Sequence, residues 1–188
     1  MPTLTILSKP VTSELYIQNV TELVEAIKAR SYSFADEMDE LGEMKIFLDE
    51  HPQEALAEFN LQYAHVQGYL SRLTDIIIRM YREKGEWQRM MHEANTLYRK
   101  ERQRILASDI TIKALRNKEL QEANLHEQIP EVVDAKEYIE NVIDDLELLI
   151  KIAEEKKQDL DRANVNLSRQ QKIVEGLAGI GYPIQSNR

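Results

Sequence analysis

The chain has 188 residues and 21.9 kDa, enough for one ordinary domain or one domain with an extended helical arm. Its 33 acidic residues against 24 Lys and Arg give a net charge of -9, which argues against a generally basic nucleic-acid binder. Six Gly, five Pro and 6% aromatics among 30% charged residues describe helices rather than a β-sandwich, and the absence of Cys excludes disulfides, thiolate zinc sites and thiol catalysis.

In chain order, Pro2 and Pro10 bracket a Thr-, Ile- and Leu-containing segment that reads as an edge strand or an arm. That segment lacks the basic region and apolar stretch of a secretory signal. No apolar run approaches the ~20 residues needed to cross a bilayer. The expectation is a cytoplasmic protein with no membrane partner. A first helix starts after Thr12 or Ser13 and runs towards Arg30, with Leu15, Val20, Leu23, Val24 and Ile27 roughly on one side. Ser31 to Ala35 connects it to a second, acidic helix over about Asp36 to Glu50, whose first-turn carboxylates suit the positive end of the helix dipole. Residues 1–51 therefore read as an arm and two short helices, and His51-Pro52 opens the next element.

From Gln53 to Ile129 there is no proline. A heptad runs through Leu56, Phe59, Tyr63, Val66, Leu70, Leu73, Ile77, Met80, Lys84, Trp87, Met91, Ala94, Tyr98, Glu101 and Ile105, and only Lys84 and Glu101 break its apolar character. A period of 3.5 lets one helix pack along another with a left-handed crossing. At 1.5 Å per residue such a helix is roughly 75–80 Å long. A second seam follows Pro130: Val132, Ala135, Ile139, Val142, Leu146, Leu149, Ala153, Lys156, Leu160, Ala163, Leu167, Gln170, Val174 and Leu177. Neither stripe can bury itself, so the expected fold is all-α: a long antiparallel, coiled-coil-like hairpin over residues 52–176. Its turn lies at about 108–130 with a short helix from Ile110 to Glu127. Gly176 stops the second helix, and a flexible tail covers 177–188. Ile76, Ile78, Met90 and Leu97 widen the first seam, and Ile143, Leu148 and Ile150 widen the second. Stripes this wide suggest a homo-oligomer, unless the two N-terminal helices fold back and cover them.

Charge is segregated along the chain. Residues 1–71 carry -8, 72–118 carry +6, 119–161 carry -10 and 162–188 carry +3. In the basic block, Arg79, Arg82, Arg89, Arg99 and Lys100 avoid the seam, Arg102 and Arg104 flank it, and Tyr69, Tyr81 and Trp87 are interleaved. Basic tracks with interleaved rings bind single strands by phosphate contact and base stacking. Equally, the bases can pair with acidic helix faces, and Trp87 falls on the seam, where a ring is more often core. Catalytic and metal signals are missing. The residues three before His51, His65, His92 and His126 are Leu48, Gln62, Arg89 and Ala123, so no Glu-x-x-His pair exists. Glu122 and His126, four apart, read as a solvated helix contact. No cofactor, metal or enzymatic reaction is expected.

The run Tyr98-Arg99-Lys100-Glu101-Arg102 late in a long helix, and Ser168-Arg169 near the end of an amphipathic helix from Ala135 to Glu175, resemble the UvsY-type recombination mediators of tailed phages over about residues 70–175. The resemblance implies an oligomeric helical accessory protein of DNA recombination and repair, in the host cytoplasm if phage-encoded. Such a protein binds single-stranded DNA, displaces a single-strand-binding protein and loads a recombinase. On the matched positions it implies DNA-binding roles for Arg99, Lys100, Arg102 and Arg169. This chain departs from that family in its extra acidic N-terminal region and in Gln170-Gln171 after Arg169. A structural or assembly protein working through protein–protein contacts is the other reading.

Overall fold

The computed structural model describes residues 14–30, 33–43 and 56–180, and among them the protein is all-α with no strand. Six helices follow one another: α1 (Glu14–Ala29), α2 (Ala35–Glu43), α3 (Leu56–Ser108), α4 (Ile110–Lys113), α5 (Lys118–Gln128) and α6 (Pro130–Gly179). The segment between Pro2 and Pro10, the expected end of the second helix, the His51-Pro52 start and residues 181–188 lie outside the described residues.

The 53 residues of α3 and 50 of α6 are uninterrupted. Gly68 and Gly85 leave α3 intact because isolated helical glycines weaken a helix without breaking it. Gly176 does not stop α6, which continues to Gly179. The expected helix from Ile110 to Glu127 is instead two. Asp109 caps α4, its carboxylate accepting from the Thr111 and Ile112 amides at 2.9 and 3.1 Å. Asn117 then caps α5, its side-chain oxygen accepting from the Glu119 and Leu120 amides. A second cap eight residues after the first restarts the helix on a new axis. The Gln121 side chain donates to the Ile112 carbonyl at 3.1 Å and ties the two together.

Contacts divide the chain into two units, each with one segment of α3 and one of α6. Unit 1 comprises Met1–Tyr32 and Lys84–Asp144; unit 2 comprises Ser33–Glu83 and Asp145–Arg188.

In unit 2, Leu73, Ile76, Ile77 and Met80 of α3 pack with Ile150, Ala153 and Leu160 of α6, and Phe34, Met38, Tyr69, Leu70 and Leu149 close around them. Further along, Val66 meets Leu167. Gln67 donates to Asn164 at 2.6 Å and Tyr81 to Glu154 at 2.8 Å, so chain numbers rise along α3 as they fall along α6. The segments are antiparallel. Helix α2 is fastened by two ion pairs, Arg72 with Glu40 and Arg79 with Glu37.

In unit 1, Tyr16 and Val20 of α1 pack with Leu97 and Ile105 of α3, Ile112 of α4, Leu125 of α5, and Ile129 and Val132. Trp87 is fully buried and its ring lies 6.0 Å from that of Tyr138. Between α5 and α6 stands one residue, Ile129, also fully buried.

Every one of Leu70, Leu73, Ile77, Met80, Trp87, Ile139, Val142, Leu146 and Leu149 is buried or half-buried. Each fully buried aliphatic side chain of this kind stabilises by about 1.5–3 kcal/mol. Three residues that widen the seams, Ile76, Leu97 and Ile150, are buried within the chain as well, Ile76 and Ile150 in the cluster with Phe34 and Met38, Leu97 in the cluster with Tyr16 and Val20. They need no second subunit to cover them. Ile78 and Leu148 stay exposed.

Candidate nucleic-acid interface

The late turns of α3 carry Arg99, Lys100, Arg102 and Arg104, all in unit 1, with Arg89 earlier on the same helix. Arg79, Arg82 and Arg169 belong to unit 2. Burial follows the heptad: Arg79, Arg82, Arg89, Arg99, Lys100 and Arg169 are exposed, while Arg102 and Arg104 beside the seam are half-buried.

Their partners divide them more sharply. Arg79 pairs with Glu37 at 2.8 Å, and Arg89 with Glu86 one turn earlier. Arg104 donates from Nε to Glu101 at 2.6 Å. Glu101 is the buried charged residue of the described core, only 6% exposed, so its heptad position is filled by a carboxylate that brings its own counter-ion. Arg102 donates from Nε and Nη2 to Glu122 Oε1, at 3.0 and 2.6 Å. By contrast, Arg82, Arg99, Lys100 and Arg169 make no ion pair with a described residue.

Around Arg102 the side chains converge into a network. The Tyr98 hydroxyl donates to the second oxygen of Glu122 at 2.7 Å and stands 3.3 Å from His126 Nε2. Lys136 of α6 lies 4.3 Å from the Tyr98 ring centroid, a cation–π contact. The Arg102 hydrogen bond, more than any other cause, holds the Glu122 carboxyl below the usual carboxylate range. Tyr98 is pushed up to about 12, by burial first and then by its hydrogen bond to Glu122. So Glu122 is a carboxylate with both oxygens engaged, and His126 joins it across to α3 rather than forming a solvated pair on α5 alone. A second pair lies nearby in the chain's own packing: the Tyr16 hydroxyl reaches Glu131 at 3.5 Å, and burial raises its pKa.

The rings expected to stack bases are otherwise occupied. Trp87 is fully buried and Tyr69 packs on the unit 2 core. Tyr81 is 47% exposed, but its hydroxyl is bonded to Glu154.

Three further cations of the basic block, Lys113, Arg116 and Lys118, are all exposed and make no ion pair with a described residue. They flank the break between α4 and α5. The available signal was the pair of capping residues, Asp109 and Asn117, which mark a tight connection with Lys113 and Arg116 between them and Lys118 just after. Lys100 also borders a groove of about 460 Å³ between α1 and α3, beside Glu22, His92 and Glu93 and floored by Leu23 and Leu97.

Among the described residues no group of three or more His, Asp or Glu is placed to hold a metal, and no helix is long and apolar enough to cross a membrane. Set against protein-family models, curated proteins and solved structures, the chain matches none.

Proposed function

We propose that the chain is a non-enzymatic helical accessory protein that binds single-stranded DNA through the free cations of unit 1, in the service of recombinase loading. The observation that carries this reading is the distribution of unpaired bases. Arg99, Lys100, Lys113, Arg116 and Lys118 are exposed and make no ion pair with a described residue, in a unit whose 13 Lys and Arg nearly balance 15 acids. Unit 2 carries 11 bases against 18 acids, so DNA is repelled there and tolerated in unit 1. Recombinase loading and displacement of a single-strand-binding protein come from the resemblance alone.

Fluorescence anisotropy with labelled oligo(dT) across a salt series tests it. Affinity is expected to fall steeply with salt, with a logarithmic slope of about -0.7 for each phosphate contact. Reversing Arg99 and Lys100, or Lys113, Arg116 and Lys118, to Glu is expected to weaken binding and flatten that slope. Unchanged affinity in both reversals defeats the reading.

A second reading, an assembly or adaptor protein working through protein contacts, is favoured by Ile78, Leu148 and Ile152, large apolar side chains left 43%, 58% and 41% exposed in unit 2. It requires homo-oligomers or a co-purifying protein, and no binding to oligo(dT) at moderate salt. Sedimentation equilibrium beside the anisotropy series separates the two.

A further inference from the structure

The run Arg99 to Arg104 contains four cations, and the protein covers two of them by different means. Arg104 is held by Glu101, three residues earlier on the same helix and buried. Displacing Glu101 would strand a carboxylate in the core, so that pair is fixed. Arg102 is held by Glu122, which comes from a separate helix 20 residues along the chain and is 38% exposed, its guanidinium partner 35%. A half-exposed ion pair is worth little, and its partners exchange with solvent. Helix α5 does not depend on it for its place, because Leu125 and the following Ile129 are fully buried against Ile105 and Ile112.

The geometry of the pair resembles that of a phosphate contact. Arg102 directs Nε–H and Nη2–H at one oxygen of an anion, and the Tyr98 hydroxyl donates to the anion's other oxygen. Arginine binds carboxylate and phosphate through the same fork of donors. Three residues earlier, on the same side of α3, Arg99 stands open.

We infer that Glu122 is an autoinhibitory carboxylate: it occupies the phosphate position on Arg102, and a strand bound at Arg99 displaces it to recruit Arg102 as a further phosphate contact. This inference rests on the nucleic-acid reading of unit 1 and names the regulation of that site. Its consequence is an affinity set below what the sequence's cations would give, adjustable by any change that draws Glu122 away.

The test compares Glu122→Gln with Glu119→Gln in the oligo(dT) salt series. Both substitutions remove one negative charge from α5, but Glu119 is exposed and pairs with no described cation. Glu122→Gln is expected to bind severalfold more tightly than Glu119→Gln and to steepen the logarithmic salt slope by about 0.7, the mark of one added phosphate contact. Adding Arg102→Gln is expected to abolish that gain. Equal affinities and slopes for the two Gln variants, or a gain that survives Arg102→Gln, overturns the inference while leaving the nucleic-acid reading in place. Failure of every protein to bind oligo(dT) at low salt overturns both. Should Glu122→Gln not fold, the unmodified chain gives the answer by NMR. On adding oligo(dT), the Arg102 Nε–H resonance is expected to shift and the Glu122 carboxyl pKa to return towards the usual range; neither moving counts against displacement.

Discussion

Unit 1 and unit 2 each hold one segment of α3 and one of α6, yet they are completed in different ways. Among the described residues, unit 2 adds the nine-residue acidic helix α2, fastened by Phe34 and Met38 and by Arg72–Glu40 and Arg79–Glu37 at its surface. Unit 1 adds α1, α4 and α5, buries Trp87 and Glu101, and builds the Tyr98–Glu122–Arg102–His126 network between α3 and α5. The same kind of residue therefore does different work in each. In unit 2 Arg72 and Arg79 hold an acidic helix in place, whereas in unit 1 Arg99, Lys100, Lys113, Arg116 and Lys118 make no ion pair with a described residue and Arg102 and Arg104 are held by carboxylates of unequal permanence. A charge block that is continuous in the sequence becomes fastening in one place and exposed charge in the other.

The largest test of this contrast is in the core. Trp87→Ala is expected to cost about 3–5 kcal/mol, since it opens a large cavity in unit 1. Urea unfolding followed by amide exchange measures it. Unit 1 amides should lose protection, and a loss confined to unit 2 amides would contradict the division. Next in size are the caps: Asp109→Ala and Asn117→Ala are each expected to cost about 0.5–2 kcal/mol in thermal melts. No effect from either would mean that α4 and α5 are held by packing alone.

The Glu122 network should respond to acid. Its folded-state pKa lies below the unfolded value, so the stabilisation is fully present above the ordinary carboxylate pKa of about 4.3 and is lost as pH falls through the folded value. Glu122→Gln should remove about 1 kcal/mol at neutral pH and flatten that part of the acid limb, read from urea midpoints. At the other extreme, Tyr98 rises to about 12, so its contribution is present below pH ~10 and is lost between there and about 12. Absorbance at alkaline pH should show a late-ionising tyrosine that Tyr98→Phe removes.

Smallest are the surface effects. The unit 2 pairs of Glu37 and Glu40 should each contribute less than about 1 kcal/mol and fade with added salt. Glycine gives a matched pair across the two units: a Cβ at Gly68 or Gly85 meets nothing within 4 Å. Alanine at either position should stabilise by about 0.5–1 kcal/mol. A destabilised variant at one position alone would reveal a contact peculiar to that unit.

Much of the fold was legible because long seams are local statements repeated many times. The positions from Val66 to Ile105 and from Val132 to Val174 have only to keep a phase, and each is buried or half-buried. The start of α1 and of α6 was likewise marked by Ser13 and Pro130. Gly176 misled because a glycine can end a helix only where the backbone finds another conformation, and here the helical one continues. The break between α4 and α5 was written in Asp109 and Asn117, but the apolar spacing across Ile110 to Leu125 masked it. The pairs Arg89–Glu86 and Arg104–Glu101 keep a helical spacing of three, but the partner of Arg102 was not legible. Glu122 lies 20 residues from Arg102 and His126 lies 28 from Tyr98, separations that no helical period relates. Which cations remain free follows from packing, and packing is known only after the helices have been brought together.

The single residue between α5 and α6 carries a consequence of its own. Ile129 is anchored in the core, and the next residue already begins a helix of 50 residues. The connection therefore works as an indexing pin: it sets the rotation of α6 at its first turn. One residue inserted after Ile129 would turn Val132, Ala135, Ile139 and Val142 by about 100° relative to α5, from the interior to the flank. This junction has no room for the length variation that loops normally absorb, so among its relatives, present or evolved in the laboratory, insertions should gather in the turn at 114–116 and spare this joint.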